Sequence, residues 1–491
     1  MYWLGIDVGT GGTRALLVDD RGKVRHAFTA AHEDMRMDRP LWAEQNPEDW
    51  WSASQKAIRG VIKSAGASGK DIQGVGLAGQ MHGLVLLDEN DQVIRPALIW
   101  CDQRSQAQVD AINALMDKET ILSCIANPVL TGFTLPKLLW VRDNEPEAFS
   151  RIRKLLLPKD YVRFQLTGDY ATDVSDASGT ALFDVVGRRW SKEFMERLGL
   201  RTTLLPAVFE SHELTGKVTA NAAKSTGLLE GTPVVAGAGD QAASAVGSGV
   251  VEPGLVSCTI GTSGVVFAHT KSPAYDPDGR VHTFCHAVRG AWHVMGVTQG
   301  AGLSLQWFRR NLAPDVEYDA LTAEAAAAPA GSQGLYWLPY LMGERTPHLD
   351  ASARGGWVGL TARHTRADLI RAILEGVAYS QKDCLQIIEG MGNRVESVRL
   401  SGGGARSSLW RQIFADVLGK RVATLETEEG SAYGAALLSM VGTGRYPSVM
   451  DLCRTTVHET ASFEPHPGEA AIYDRGHRIY QALYPALKML K

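Results

Sequence analysis

The sequence lacks the short motifs that most readily identify a function. Its 491 residues contain no GxxxxGKS/T phosphate loop, no GxSxG and no HExxH. These absences argue against P-loop nucleotide hydrolysis and against the most easily recognised esterases and metalloproteases. The 6 cysteines are scattered and include no CxxC pair. We therefore expect reduced, mostly buried thiols in a cytoplasmic protein, without a disulfide framework or a zinc site.

Excess charge of one sign and long apolar segments are also missing. The chain has 50 basic and 54 acidic residues, so no basic surface is indicated and nucleic acid is not an expected partner. Residues 2–6 are typical of a strand and lack the basic region that precedes the apolar part of a signal peptide. The least polar stretch, residues 232–251, is interrupted by Asp240 and Gln241, so we expect no membrane span.

The length and a hydrophobic content of 45% exceed what a single core holds, so two domains are expected. An order of strands, glycine turn, helix and strand occurs twice, which predicts an α/β fold with two related domains. We place them at residues 1–247 and 248–491, because glycine and proline cluster near the boundary. Strands are predicted within 2–31, 72–78 and 395–400, and helices over about 46–64, 136–149, 366–390, 430–441 and 472–490.

Two glycine-rich turns, each after a short apolar strand, are the strongest indication of function. The first is Gly9-Thr10-Gly11-Gly12-Thr13 and the second is Gly261-Thr262-Ser263-Gly264. Small residues let the backbone approach a ligand closely, and the N–H groups of such turns can converge on anionic oxygens. We therefore expect two lobes that hold one polyphosphate between them. Asp7, just before the first turn, could hold a metal ion, or could simply bond its own backbone as turn aspartates often do.

Asp240 lies where a predicted strand enters a helix. It would serve as the helix N-cap, as a general base that takes a proton from a substrate hydroxyl, or as both. The helix N-terminus is expected to lower its pKa and keep it ionised. Residues 237–242 also match a dinucleotide-binding pattern, but the carboxylate of Asp240 would repel a pyrophosphate. A dehydrogenase therefore stays an alternative.

Two further pairs of residues are candidates for a site. Met81 and His82 follow the strand 72–79 at its carboxyl end, where open α/β sheets bind ligands. A substrate contact is predicted there, although a lone histidine is more often structural. Glu344 and Arg345 occupy a predicted turn, where a local ion pair is the expected arrangement.

Two longer segments resemble both signatures of the FGGY family of carbohydrate kinases, and the resemblance covers nearly the whole chain. The first is Gly132-Phe133-Thr134-Leu135-Pro136-Lys137, continuing to Asn144. The second is Gly355-Gly356-Trp357-Val358-Gly359-Leu360, continuing through residues 368–375. Both segments are long and specific to that family.

Within the family, the chain is most similar to members that phosphorylate D-xylulose. The similarity is carried by residues 79–83, 157–161 and 338–347. Glycerol kinases have Arg-Glu where this chain has Met81-His82. This chain has Asp240-Gln241 where D-xylulose kinases commonly have Asp-Asn, which keeps kinases for ribulose or an alditol open as alternatives.

The resemblance implies two actin/hexokinase-like, ribonuclease-H-like domains with a cleft between them, the sugar on the N-terminal domain and ATP on the C-terminal one. It implies that Asp240 is the catalytic base and that Asp7 acts through Mg²⁺, with a possible homodimer as the assembly. A non-catalytic ATP-binding protein of the actin fold is the alternative outside enzymes. The implied sugar contacts are Met81, His82, Asp240 and Gln241, and the implied ATP contacts are Gly11, Gly12, Thr13, Arg14, Gly261, Thr262, Gly302, Gln306, Gly403, Gly404 and Ser408.

Overall fold

Two large mixed sheets, one in each half of the chain, form the framework of the protein. The computed structural model describes residues 1–427 and 429–488. The end of the helix predicted over 472–490 lies outside the described residues. Strands of the N-terminal half are β1 Tyr2–Val8, β2 Gly12–Val18, β3 Val24–Ala31, β4 Glu44–Gln45, β5 Ile72–Gly79, β6 Val85–Leu87, β7 Ala97–Leu98, β8 Lys154–Leu156, β9 Ala171–Asp173, β10 Phe183–Asp184, β11 Arg189–Trp190, β12 Ala207–Phe209, β13 Leu214–Lys217, β14 Pro233–Val235 and β15 Ala238–Gly239.

The C-terminal half contributes a second set of strands, and helices occur in both halves. The strands are β16 Gly254–Ile260, β17 Gly264–Thr270, β18 His282–Cys285, β19 Trp292–Thr298, β20 Tyr336–Leu338, β21 Gly356–Val358, β22 Val395–Ser401, β23 Arg421–Leu425 and β24 Glu459–Phe463. The helices are α1 Pro47–Ser64, α2 Gln106–Leu115, α3 Lys118–Ile125, α4 Thr134–Asn144, α5 Pro146–Arg151, α6 Pro158–Thr167, α7 Val174–Ala177, α8 Lys192–Arg197, α9 Ala220–Thr226, α10 Asp240–Gly247, α11 Gly302–Leu312, α12 Tyr318–Ala325, α13 Arg366–Gly390, α14 Ser408–Leu418, α15 Gly430–Gly442, α16 Val449–Thr456 and α17 Pro467–Leu487.

Six strands of each sheet share one topology, and β15 and β18 are additions to it. The first has the order β13-β14-β5-β1-β2-β3, and β15 also pairs with β5; the second has the order β18-β19-β17-β16-β22-β23-β24. In each, the first strand pairs antiparallel with the next strand of a meander and parallel with a later strand, β5 or β22. The predicted two-domain α/β fold with a repeated order of elements is therefore confirmed.

Local sequence explains the start of α1 and the break between α4 and α5. The Asn46 side chain caps α1 by accepting a hydrogen bond from the Glu48 N–H, and Pro47 opens the helix. The single helix predicted over 136–149 is wrong, because α4 ends at Asn144 and α5 begins at Pro146. Proline lacks an N–H and disfavours helical backbone in the residue before it, which explains the break at Glu145.

Helices α10 and α15 cross with their backbones in direct contact. A Cβ added to Gly434 would lie 1.8 Å from the Ala243 carbonyl oxygen, and one on Gly247 would lie 2.4 Å from the Gly430 carbonyl oxygen. Distances below 3 Å leave no room for a side chain, so only glycine permits this crossing. The crossing places the last residue of α10 against the first residue of α15, so it fixes the two helices relative to each other.

Helix α15 belongs to the C-terminal half by sequence but packs on the N-terminal sheet. A Cβ on Gly5 of β1 would lie 2.0 Å from the Ala432 carbonyl oxygen, and one on Gly76 of β5 would lie 1.9 Å from the Ala435 carbonyl oxygen. Small buried residues of α10 and α15 share one apolar cluster with side chains of the first sheet. No described helix combines the length and the apolar stretch that a membrane crossing would need.

We predict that Gly434→Ala destabilises the protein by about 3 kcal/mol or more, because the added methyl group must force α10 and α15 apart. Gly390→Ala is the matched control, since Gly390 is also helical but an added Cβ there meets nothing within 4 Å. The control should be neutral or slightly stabilising. Thermal and denaturant unfolding of both variants would check this, and equal stability of the two would contradict the close contact.

Candidate active site

Three parallel strands of the first sheet end side by side, and a candidate residue is associated with each. In register, Asp7 of β1 pairs with Ala78 of β5, and Gly79 of β5 pairs with Gly239 of β15. Asp240 follows β15 directly. Since neighbouring strands are about 4.8 Å apart, the backbones of β1 and β15 lie about 10 Å apart, with β5 between them. Asp7, the Met81–His82 segment and Asp240 therefore lie at one edge of this sheet.

The Asp7 carboxylate is held on one oxygen and unpartnered on the other. Its Oδ2 accepts a hydrogen bond of 2.5 Å from the Ser431 hydroxyl. Its Oδ1 is buried and has no hydrogen-bond partner among the described residues. Burial raises the pKa of Asp7, against the opposing effects of the Ser431 hydrogen bond and the Arg14 charge. A buried carboxylate oxygen without a donor fits a hard divalent cation.

Thr13 of the first glycine turn and Arg14, which follows it, both have side-chain partners within the protein. The Arg14 guanidinium binds Glu429 in a bidentate manner, with Nε 2.5 Å from Oε2 and Nη2 2.6 Å from Oε1. The Thr13 side chain is fully buried, and its hydroxyl lies 2.8 Å from His32 Nε2. Gly11 has open space where a Cβ would be. Phosphate contacts by these residues stay a prediction, and for Thr13 the hydroxyl is committed to His32.

The prediction that Asp240 is the helix N-cap is wrong, because Asp240 is the first residue of α10 and Gly239 is its N-cap. The predicted lowering of the Asp240 pKa is wrong: the pKa is raised to about 7. Burial is the largest cause and the charge of Asp7 adds to it, while hydrogen bonds from Gln241 act in the opposite direction. The helix N-terminus is outweighed, because desolvation and a neighbouring carboxylate both disfavour the ionised form.

A buried charged network supports the strand that leads into Asp240. The Gly239 N–H donates to the Ser175 hydroxyl at 3.1 Å, and this hydroxyl donates to Asp173 Oδ2 at 2.5 Å. Lys159 Nζ lies 3.0 Å from Asp173 Oδ1 and 2.6 Å from Asp160 Oδ1, and all three charged side chains are fully buried. Sequence reasoning missed this network, because no local signal places Lys159 opposite Asp173.

His82 is neutral and oriented. Its Nδ1 lies 2.6 Å from the Gly179 carbonyl oxygen, so Nδ1 carries the proton and Nε2 is left as an acceptor. Burial, reinforced by the charge of Lys137, lowers the pKa of His82 to about 3. The ring stacks on Phe133 at a centroid distance of 4.8 Å. At neutral pH the imidazole can therefore accept a hydrogen bond from a hydroxyl group through Nε2.

Two residues of the segment 132–144, Thr134 and Lys137, bind the backbone of His82. Lys137 Nζ donates to the carbonyl oxygens of His82 and Gly132, at 3.0 and 2.6 Å, and the Thr134 hydroxyl donates to His82 O at 3.1 Å. His82 has φ of 70°, a left-handed conformation that is unusual for a non-glycine residue. The contacts with Lys137 and Thr134 fix this backbone, a role that the sequence motif alone does not reveal.

The ion pair predicted between Glu344 and Arg345 is wrong. Glu344 Oε1 instead accepts hydrogen bonds from the backbone N–H groups of Gln299 and Arg345, at 2.8 and 2.7 Å. No salt bridge joins the two side chains, both of which lie in the described part of the chain. Burial raises the pKa of Glu344 to about 8. Glu344 therefore serves to tie its turn to the segment after β19.

The second glycine turn opens on a cavity of about 660 Å³ in the C-terminal half. Trp410, Tyr318, Arg406 and Ser407 also line it, and sequence reasoning missed them. Ser408, the first residue of α14, adjoins the cavity through Ser407, and its nucleotide contact stays a prediction. The predicted residues that line this cavity together are Gly261, Thr262, Gly302, Gln306, Gly403 and Gly404.

Close packing explains two of the glycines of this cavity, Gly302 and Gly404. The Gly302 N–H donates to the Gly261 carbonyl oxygen at 2.7 Å, and a Cβ on Gly302 would lie 2.5 Å from that oxygen. A Cβ on Gly404 would lie 2.4 Å from Ile260 Cγ2. Two sheets with a glycine turn each, two carboxylates at one edge of the first sheet and a large cavity at the second turn form the arrangement expected of a nucleotide-dependent phosphotransferase.

Comparisons with known proteins identify the family. Residues 2–247 match the N-terminal domain of the FGGY family of carbohydrate kinases, and residues 256–443 match its C-terminal domain. The chain belongs to the FGGY family of carbohydrate kinases, and the resemblance predicted from sequence is confirmed. Kinases of this family use ATP and act on a carbohydrate.

The relatives match over their full length. The chain is 39% identical to the xylulose kinase of Bacillus subtilis, over 100% of this chain and 98% of the relative. It is 39% identical to the xylulose kinase of Escherichia coli, over 99% of this chain and 100% of the relative. A crystal structure of a xyloylose kinase from Brucella ovis superposes with a TM-score of 0.94 at 38% identity and covers 100% of both chains.

The raised pKa of Asp240 predicts an effect on stability. The folded state binds this proton more tightly than the unfolded state, whose carboxyl has a pKa near 3.8. The stability contributed by the protonated carboxyl is therefore complete below about pH 4 and is lost as the pH rises towards 7. We expect Asp240→Asn to raise the melting temperature by a few degrees at pH 8 and by less at pH 5.

Asp276→Asn is a control for which the opposite change in stability at pH 8 is expected. The pKa of Asp276 is lowered, because hydrogen bonds from Arg280 outweigh the effect of burial. Its ionised form stabilises the fold above the unfolded pKa, so this variant should lose stability at pH 8. Melting curves of the wild type and both variants at pH 5 and 8 would check the pair. A lower melting temperature for Asp240→Asn at pH 8 would contradict the raised pKa.

Proposed function

We propose that this chain transfers the terminal phosphoryl group of ATP to the C5 hydroxyl of D-xylulose, giving D-xylulose 5-phosphate and ADP. The observation that carries the proposal is the position of Asp240, which directly follows β15 at the sheet edge where β1 carries Asp7 and β5 leads to His82. Burial at this edge raises the pKa of Asp240 to about 7. The names and full-length similarity of the relatives support D-xylulose as the acceptor.

In the proposed reaction, ionised Asp240 accepts the hydroxyl proton as the sugar oxygen attacks the terminal phosphorus of ATP in line. Phosphoryl transfer demands little strength of its base, so position matters more than a high pKa. The backbone N–H groups of the turns near Gly11 and Gly261 would stabilise charge on the transferred group. Closure of the two domains would exclude water, which otherwise competes as the acceptor.

Asp7 is proposed to hold Mg²⁺, because its buried Oδ1 has no partner in the described part of the chain. When bound, the cation would neutralise charge on the ATP phosphates. The chain's own contribution is to keep Oδ2 occupied by the Ser431 hydroxyl, so that Oδ1 remains available.

The sugar is proposed to contact Met81, His82 and Gln241. His82 Nε2 offers one acceptor, and the Gln241 amide offers both a donor and an acceptor. Gln241 is one methylene longer than the asparagine common in D-xylulose kinases, so ribulose or an alditol is the second candidate acceptor. We propose residues 1–247 as the sugar-binding domain and 248–491 as the ATP-binding domain, with α15 as the exception that packs on the first sheet.

We predict that Asp240→Ala lowers kcat by 10²–10⁴-fold, since the proton acceptor is lost, while the Kd for ADP changes less than threefold. Turnover in a coupled ADP assay and ADP binding by calorimetry would measure the two effects. Wild-type kcat/KM should fall about tenfold per pH unit below about 7, because only ionised Asp240 accepts the proton. Retained turnover in the variant, or a flat pH profile from 5.5 to 8, would contradict Asp240 as the base.

The identity of the acceptor can be tested by measuring ADP production with D-xylulose, L-xylulose, D-ribulose, L-ribulose, xylitol, gluconate and glycerol. We expect the highest kcat/KM for D-xylulose, because Met81 and His82 replace the Arg-Glu pair of glycerol kinases. Gln241→Asn is the matched variant and should keep the same preference order. A higher kcat/KM for another acceptor would support kinase activity but contradict D-xylulose as the preferred substrate. No stimulation by any member would favour a non-catalytic ATP-binding protein.

A further inference from the structure

We propose that Ser431 is a positioning residue for Asp7, holding the carboxylate from helix α15 so that Oδ1 remains available to a divalent cation. The inference rests on the proposed function, in which Asp7 carries the cation of the ATP complex. It concerns a residue 424 positions away in sequence, on a helix of the other half of the chain.

The contact itself is short and specific. The Ser431 Oγ to Asp7 Oδ2 distance is 2.5 Å, within the range of a charge-assisted hydrogen bond between a hydroxyl and a carboxylate. Ser431 donates this hydrogen bond to Oδ2, whereas Oδ1 has no hydrogen-bond partner among the described residues. The hydroxyl therefore distinguishes the two carboxylate oxygens and fixes the rotation of the side chain.

The helix that carries Ser431 is held rigidly against β1. Its next residue, Ala432, lies in backbone contact with Gly5 of the same strand as Asp7, and Gly434 lies in backbone contact with Ala243 of α10. The hydroxyl consequently has a fixed position relative to the Asp7 backbone. The N-terminus of α15 also carries partial positive charge, which favours the ionised carboxylate.

The start of α15 also binds Arg14, the charged residue that follows the first glycine turn. Glu429, two residues before Ser431, binds both nitrogens of the Arg14 fork. Arg14 is the register partner of Asp7 across β1 and β2. One turn of backbone at the start of α15 thus orients both charged residues at the first glycine turn.

The alternative is that the Ser431 hydrogen bond only stabilises packing of α15 on the first sheet. Ser439 provides a matched control for this alternative. It lies two turns further along α15, is fully buried, and donates its hydroxyl to the Ala436 carbonyl oxygen within the helix. Ser439→Ala removes a buried helix hydroxyl without affecting Asp7.

The experiment compares Ser431→Ala, Ser431→Thr and Ser439→Ala. We expect Ser431→Ala to weaken Mn²⁺ binding to the ADP complex about 10–100-fold, the effect typical of losing a group that orients a metal ligand. Electron paramagnetic resonance of free Mn²⁺ measures this affinity without turnover. The kcat should fall by a similar factor while the sugar KM changes less than twofold. Ser431→Thr, which keeps the hydroxyl, should recover most of both.

Ser439→Ala should resemble the wild type in Mn²⁺ affinity and kcat, even where its melting temperature falls. The proposal is overturned if Ser431→Ala lowers the melting temperature but leaves Mn²⁺ affinity as in Ser439→Ala. Because Mn²⁺ and ADP binding need no sugar, this result is independent of the acceptor. A wild type that binds Mn²⁺ and ADP but phosphorylates no sugar would contradict the proposed function and leave the positioning role testable.

Discussion

The backbone contact between helices α10 and α15 is the constraint on which the candidate active site depends. Gly434 and Gly247 allow the two helices to cross without intervening side chains, and Gly5 allows α15 to lie directly on β1. Each helix begins at the same edge of the first sheet. Asp240 opens one helix, and Ser431 lies in the first turn of the other, within hydrogen-bonding distance of Asp7. A side chain at any of these glycines would move the polar groups apart.

The cost of this arrangement is electrostatic. It buries both carboxyl groups, and this burial raises the pKa of Asp7 and of Asp240. The charge of Asp7 raises the pKa of Asp240 further. The fold counters this with donors: Ser431 on Asp7, and the backbone and side chain of Gln241 on Asp240. The pKa of Asp240 settles near 7 as a result, which leaves a carboxylate that can exchange a proton near neutral pH at some expense of stability.

Local patterns in the sequence predicted the repeated order of elements, the two glycine turns and the strand-to-helix junction at Asp240. Features that depend on distant residues were not predictable. The predicted direction of the Asp240 pKa shift is wrong, because the sequence reveals the helix N-terminus but not the burial of Asp240 or its neighbour Asp7. For the same reason, the sequence did not reveal that Lys137 supports the His82 backbone or that Lys159 neutralises Asp173. The break before Pro146, by contrast, has a local cause, because proline disfavours helical backbone in the residue before it.

Helix α15 shows that a segment of the C-terminal half of the sequence can pack on the sheet of the N-terminal half. The helix follows β23 of the second sheet, yet its small residues pack on the first sheet and on α10. The chain therefore passes between the two sheets where it enters and leaves α15, as it also does between α10 and β16. The Glu429–Arg14 ion pair and the Ser431–Asp7 hydrogen bond lie at the entering end. The groups proposed to contact phosphate and metal are consequently mechanically coupled to the domain that contains the nucleotide-sized cavity.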